Sequence, residues 1–186
     1  YLFRTDGDGH IRFPIAITRY YFNEQDTNIA FDANGFLTSG AVNHAVSKGI
    51  LPSTATLRLR AWDVDADATW CPEVDHVFVN GHQIYDQNGQ PSMLTGADST
   101  WSTPSFRVPI EFLKFPQSKG TNLNSPIPVD NEIAVQIDVL ECTTPSGQPA
   151  WAVEIDWGII EIPSPVRPIV FAHGWTGTTE AFSDFE

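Results

Sequence analysis

Carboxylates spaced one residue apart are the first side chains in this chain that could do chemistry. Asp63-Val64-Asp65-Ala66-Asp67 carries an acid at every second position. An extended backbone turns alternate residues to one side, so all three would share a face. Like charges held that close repel each other unless a cation bridges them, and Asp75 lies near enough in sequence to join. A ligand set that offers only oxygen suits calcium. The five histidines are scattered, and neither cysteine lies beside one at a ligand spacing, so zinc has no candidate site. Asp63, Asp65, Asp67 and Asp75 are therefore the candidate calcium ligands, against the plainer reading of a solvated acidic loop.

Two further acidic groupings are weaker. Asp6-Gly7-Asp8-Gly9 is similar to an EF-hand loop, with Ile11 where that loop carries its Ile. In that register the first and twelfth positions are Arg4 and Ile15, where carboxylates are required. The EF-hand is rejected, which leaves a looser site at Asp6 and Asp8 or a plain turn. Glu154 and Asp156 have the residue types of a glycosidase pair. They fall on the wet face of a regular strand, where charge serves solubility, and that chemistry is rejected too.

Ten basic residues against twenty-three acidic ones leave a net charge of −13. That field repels nucleic acid and anionic membrane surfaces, and both are excluded as partners. No apolar run approaches the roughly 20 residues that span a bilayer. Tyr1 rather than Met opens the chain, and leader residues are expected to have been removed or excluded. Cys71 and Cys142, both in loop-like sequence, are expected to pair, as suits a secreted, extracellular protein, against the alternative of two free thiols in a cytosolic one. Of the six tryptophans, Trp151 and Trp157 fall on an apolar stripe and read as core. Trp70 and Trp101 lie among polar residues and are the candidate ligand-binding pair, able to stack on the apolar C–H face of a sugar or to cap the sandwich ends.

The elements that must position these groups are mostly strands with period-two alternation. Ile11, Phe13, Ile15 and Ile17 share a face, as do Phe106, Val108, Ile110 and Phe112, and Ile133, Val135, Ile137 and Val139. Trp151, Val153, Ile155, Trp157 and Ile159 share another, opposite Glu154, Asp156 and Gly158. One apolar and one wetter face per strand is the antiparallel pattern. Pro14 and Pro109 cannot donate to a ladder and place their strands at edges or bulges. In Thr54 to Asp65 the phase breaks, because Trp62 and Val64 fall on the side of Arg58 and Arg60; a bulge near Ala61 to Asp63, or a bend passing between sheets, is expected. One helix is predicted, with Ser39 as N-cap, a body from Ala41 to Lys48 and Gly49 at its end. Asn80-Gly81 predicts a type I′ hairpin turn.

The order of an Asn-Gly hairpin (Val77-Phe78-Val79-Asn80-Gly81), Gly96, Trp101, the Phe106 strand and Asn131-Glu132-Ile133-Ala134-Val135 resembles the galactose-binding-like, jelly-roll sandwiches attached to secreted carbohydrate-active enzymes. The likeness spans roughly residues 55 to 162. It implies an all-β antiparallel sandwich over residues 1–162, able to bind a glycan or polymer surface or to act as a spacer. Glu161 to Pro168 is rich in proline and extended, and residues 163–167 read as a linker.

Beyond it, Ile169-Val170-Phe171-Ala172 runs into His173-Gly174-Trp175. That run resembles the first strand and oxyanion loop of a lipase- or esterase-like α/β-hydrolase, and residues 168–186 read as a truncated fragment of such a domain. The resemblance implies that the N–H of Trp175 would help hold the oxyanion in the parent enzyme, with His173 and Gly174 shaping the loop. Glycine there lets the backbone approach the substrate carbonyl. The family's nucleophile lies in a Gly-x-Ser-x-Gly elbow and its base comes last in the chain; residues 1–186 contain no such elbow, so this stretch is not expected to hydrolyse esters. The whole therefore reads as the non-catalytic front module of a secreted serine hydrolase whose catalytic domain is missing here. The alternatives are a carbohydrate- or calcium-binding adhesion module, or an interaction module acting through strand pairing by its tail.

Overall fold

A computed structural model describes residues 3–6, 9–117, 127–147, 151–163 and 169–173. The chain forms β1 (Phe3–Asp6), β2 (His10–Ile17), α1 (Ser39–Ser47), β3 (Thr54–Trp62), β4 (His76–Val79), β5 (His82–Gln83), β6 (Trp101–Ser102), β7 (Ser105–Pro109), β8 (Val129–Gln136), β9 (Ala152–Ile162) and β10 (Ile169–His173). A 3-10 turn, Ile110–Phe112, follows β7.

These strands make two antiparallel sheets. In the first, β9 and β3 form the centre; β1 and β10 share the outer side of β9, while β7 and β6 share the outer side of β3. The second runs β2-β8-β4-β5. Alternation drives the packing. Ile11, Phe13, Ile15 and Ile17 of β2 and Val77 and Val79 of β4 share one core cluster with Leu57 and Leu59 of β3 and Ile155 and Ile160 of β9. Each side chain so buried contributes about 1.5–3 kcal/mol relative to an exposed position. Pro14 sits on β2, an edge strand, and Pro109 ends β7, another edge, as a residue without an N–H requires. Among the described residues no helix is long and apolar enough to cross a membrane.

The Asn80-Gly81 turn has positive φ at both residues, 50° and 80°, which is the type I′ geometry whose twist matches the flanking strands. The Asn80 side chain also works: its Nδ2 donates to the carbonyl of Phe112 and to Oδ1 of buried Asn131, and its Oδ1 accepts the Glu132 N–H. Helix α1 begins where expected, but Thr38 rather than Ser39 is the cap. Thr38 Oγ1 accepts the Ala41 N–H, three residues on, as N-cap geometry demands. Gly49 ends it at φ 66°.

The phase break expected near Ala61 to Asp63 is met at Asp63, where a φ of 63° turns the chain and buries Val64; a separate irregularity lies in the neighbouring strand. β3 keeps its alternation through Trp62, and the register slips because β9 carries an extra residue: Arg60 faces Trp157 and Ala61 faces Ile155, leaving Asp156 over. This bulge reverses the phase of β9, so Gly158 turns into the core and Trp157 moves to the outer face, half-buried. A Cβ on Gly158 would lie 2.9 Å from Phe13, 3.0 Å from Leu59 and 3.1 Å from Ile15. Gly158→Val is expected to destabilise by roughly 2–3 kcal/mol through overpacking, read from the midpoint of a urea transition.

Candidate metal centre

The acidic residues gather where β3 leaves its sheet. Past Trp62 the chain turns at Asp63, φ 63°, and Val64 plugs into the core. The segment before β6 closes against this turn. Asp63 N–H donates to the Thr100 carbonyl at 3.2 Å, and Asp63 Oδ1 accepts the Ser99 N–H at 2.7 Å. Gly96 permits that approach, since a Cβ there would stand 2.9 Å from the Cβ of Val64. The result brings Asp98 to Asp63 and Asp65, one carboxylate oxygen from each lying within 4.8 Å of the others. Such a trio could bind a metal ion. Burial, then the neighbouring Asp63, Asp98 and Asp67 carboxylates, raise the Asp65 carboxyl above the ordinary range. Asp67 thus acts on the trio electrostatically without being one of its three.

Behind the trio lies a second acidic set, fully inside the protein. Asp65 N–H donates to Glu73 Oε2 at 2.7 Å, and Glu73 N–H returns a bond to the Asp65 carbonyl at 3.1 Å. Glu73 is 2% exposed, and Asp75 and Asp138 are 0% exposed. Asp138 N–H donates to Asp75 Oδ1 at 2.9 Å, and the carboxyls of Glu73 and Asp75 are hydrogen-bond neighbours. Burial, then the Asp75 charge, push Glu73 up to about 9. Burial, then the Asp138 charge, raise Asp75 to about 7, against the lowering pull of the Asp138 N–H. Asp75 was expected to join Asp63, Asp65 and Asp67; the fold places it in this inner set instead. Glu73 and Asp138 escaped the sequence reading, although Glu73-Val74-Asp75 repeats the every-second-residue acid spacing that singled out Asp63 to Asp67.

The two loops that carry the inner acids are tied covalently. Cys71 and Cys142 form a disulfide with Cα atoms 6.2 Å apart, and Val139 N–H donates to the Val74 carbonyl at 2.9 Å. Trp70, next to the disulfide, is 61% exposed and packs its ring against Trp151, centroids 5.3 Å apart at 37°. Trp151, expected in the core, is half-buried under it. Trp101 is 39% exposed, but Arg60 sits over its ring at 4.8 Å and Trp62 lies 5.3 Å from it. Trp70 is thus the more open platform.

The tail candidates divide. β10 pairs antiparallel with β9, from Ile169 opposite Ile162 to His173 opposite Gly158, so this strand extends the first sheet. Gly174 and Trp175 lie outside the described residues, as does Asp8, while the backbone of Asp6, in β1, pairs with Ala152 of β9. Comparison with known protein families, curated proteins and solved structures finds no match to this chain.

Proposed function

We propose that this chain is a non-catalytic accessory module, a jelly-roll-type sandwich that presents an aromatic platform beside a calcium-holding acidic loop to a glycan or polymer surface. The observation that carries this reading is the open Trp70 ring, backed by Trp151 in the loop that also carries Asp63 and Asp65. An aromatic face at a rigid, stapled position stacks on sugar C–H surface at little entropic cost. The Asp63–Asp65–Asp98 trio offers oxygen ligands alone, which selects calcium over softer metals. Export, as the disulfide suggests, would supply calcium at high concentration and keep Cys71 and Cys142 paired. The sequence His173-Gly174-Trp175 supports attachment of this module to a secreted lipase- or esterase-like serine hydrolase.

Affinity chromatography on immobilised polysaccharides tests the binding role. Retention of the wild type is expected, with Trp70→Ala weakening it about tenfold or more and Trp101→Ala having a smaller effect. No retention on any glycan tested would leave the module a spacer. For the hydrolase attachment, the coding sequence past Glu186 decides: a Gly-x-Ser-x-Gly elbow followed by an acid and then a His supports it. Pairing of β10 with the sandwich's own β9 favours a second reading, an adhesion module with no hydrolase attached, which further sandwich sequence past Glu186 would support.

A further inference from the structure

We propose that Glu73, Asp75 and Asp138 form a second, internal cation site that takes calcium, distinct from the surface trio of Asp63, Asp65 and Asp98. Burial is the first ground. An ionised carboxylate taken out of water costs several kcal/mol unless a counter-charge or a full set of donors compensates it, and all three are at most 2% exposed. The charges acting on Glu73 are those of Asp75, Asp65 and Asp138, every one acidic. On Asp75 the acting charge is that of Asp138.

Hydrogen bonding is the second ground. Glu73 and Asp75 each have one oxygen held by a backbone N–H, from Asp65 and Asp138 respectively. The other oxygens, Glu73 Oε1 and Asp75 Oδ2, are buried and accept no hydrogen bond from any N–H donor among the described residues; the two carboxyls adjoin each other, a contact that satisfies them only where they share a proton. Buried polar atoms in folded proteins are nearly always satisfied, so two such atoms on adjoining carboxyls indicate a ligand that takes lone pairs. One oxygen fixed and one free is also how outer hydrogen bonds orient a metal ligand.

The third ground is placement. Asp138 adopts φ 49°, a left-handed conformation that an Asp tolerates better than most residues. It stands between the strand end of β8 and the Cys71–Cys142 staple. The loops are therefore held close before any ion arrives. Among the described residues only the surface trio brings one oxygen of each within 4.8 Å, so the inner three would have to close further on an ion. A hard, oxygen-only, flexible set fits calcium, which accepts irregular coordination; magnesium demands a near-octahedral shell and retains its waters.

The inner site stands or falls separately from the surface one. The chain is stripped with chelator and titrated with calcium chloride at pH 7.5, following thermal unfolding and calorimetric stoichiometry. Two ions per chain are expected, with Tm rising by roughly 5–10 °C at a hundredfold excess over Kd. Glu73→Gln and Asp75→Asn should each remove one ion and most of the Tm rise. In chelator both should melt at or above the wild type, because an amide ends the repulsion. Asp98→Asn should remove only the other ion. If either inner variant fails to fold, Asp138→Asn read by terbium luminescence, sensitised by nearby tryptophan, gives the same test through lost emission. Full calcium response in Glu73→Gln overturns the inner site while leaving the trio intact. A wild type whose Tm calcium does not move, with Glu73→Gln melting lower than it in chelator, also overturns it and marks the inner acids as a proton-sharing pair.

Discussion

Replacing both Cys71 and Cys142 with Ser is expected to lower stability by about 4 kcal/mol, the chain-entropy value for a loop of this length, and Tm by roughly 10 °C. The bridge spans 71 residues of sequence, so it removes a large share of the conformations open to the unfolded chain. Its position makes a second effect follow. Cys71 lies two residues before Glu73 and Cys142 four residues after Asp138, so the bridge holds together the two loops that supply the inner acids. Calcium affinity should therefore fall along with Tm, since the loops would have to be ordered on binding. Differential scanning of the double variant with and without calcium separates the two effects. An unchanged Tm would mean that the Val139–Val74 bond and core packing suffice to hold the loops.

In chelator, stability is expected to fall as pH rises from about 5 to 8, with Tm dropping on the order of 10 °C. Glu73 and Asp75 are raised in the folded state to about 9 and about 7, above their ordinary values. Between the unfolded and folded values the native state binds more protons than the unfolded one, so stability declines with pH. Their contribution is complete below about pH 4 and is lost as pH passes through the folded values. Each unit of difference corresponds to about 1.4 kcal/mol. Asp26 and Asp86 act the other way at the acid end. The side-chain bond from His44 lowers Asp26, and the Gln90 N–H lowers Asp86, so their contribution is lost as pH falls below the ordinary carboxylate range. The chelated profile should peak near pH 4–5. Calcium competes with the inner protons and should flatten the alkaline decline, as should Glu73→Gln without any metal. Thermal melts from pH 4 to 9 measure this; a chelated Tm that stays level or rises from pH 5 to 8 would sink the assignment.

Local rules made much of the fold legible. The alternation of β2 named its inward residues correctly because side-chain direction along a strand depends on nothing beyond the backbone. Asn80-Gly81 specified its turn because few residue pairs accept positive φ twice in succession. The cysteines paired as expected, there being one partner available to each. The second half of β9 departs from the alternation of its first half, since its bulge arises from how it pairs with β3 and not from its own sequence. That slip put Trp157 outside and Gly158 inside.

The candidate site divides along the same line. Sequence alone marked Asp63 and Asp65 as part of a dense acidic segment, because their proximity follows from spacing; the turn at Asp63 is the structure's. Only the tertiary structure brought Asp98 to them, through the Gly96 approach and the Ser99 bond to Asp63, and only it sent Asp75 inward to Glu73 and Asp138. Whether a carboxylate meets water or another carboxylate depends on which loop end packs over it. Asp75 and Asp138, 63 positions apart in the chain, meet because β4 and β8 pair with His76 opposite Gln136, and a disulfide links the loops that run on from those strand ends.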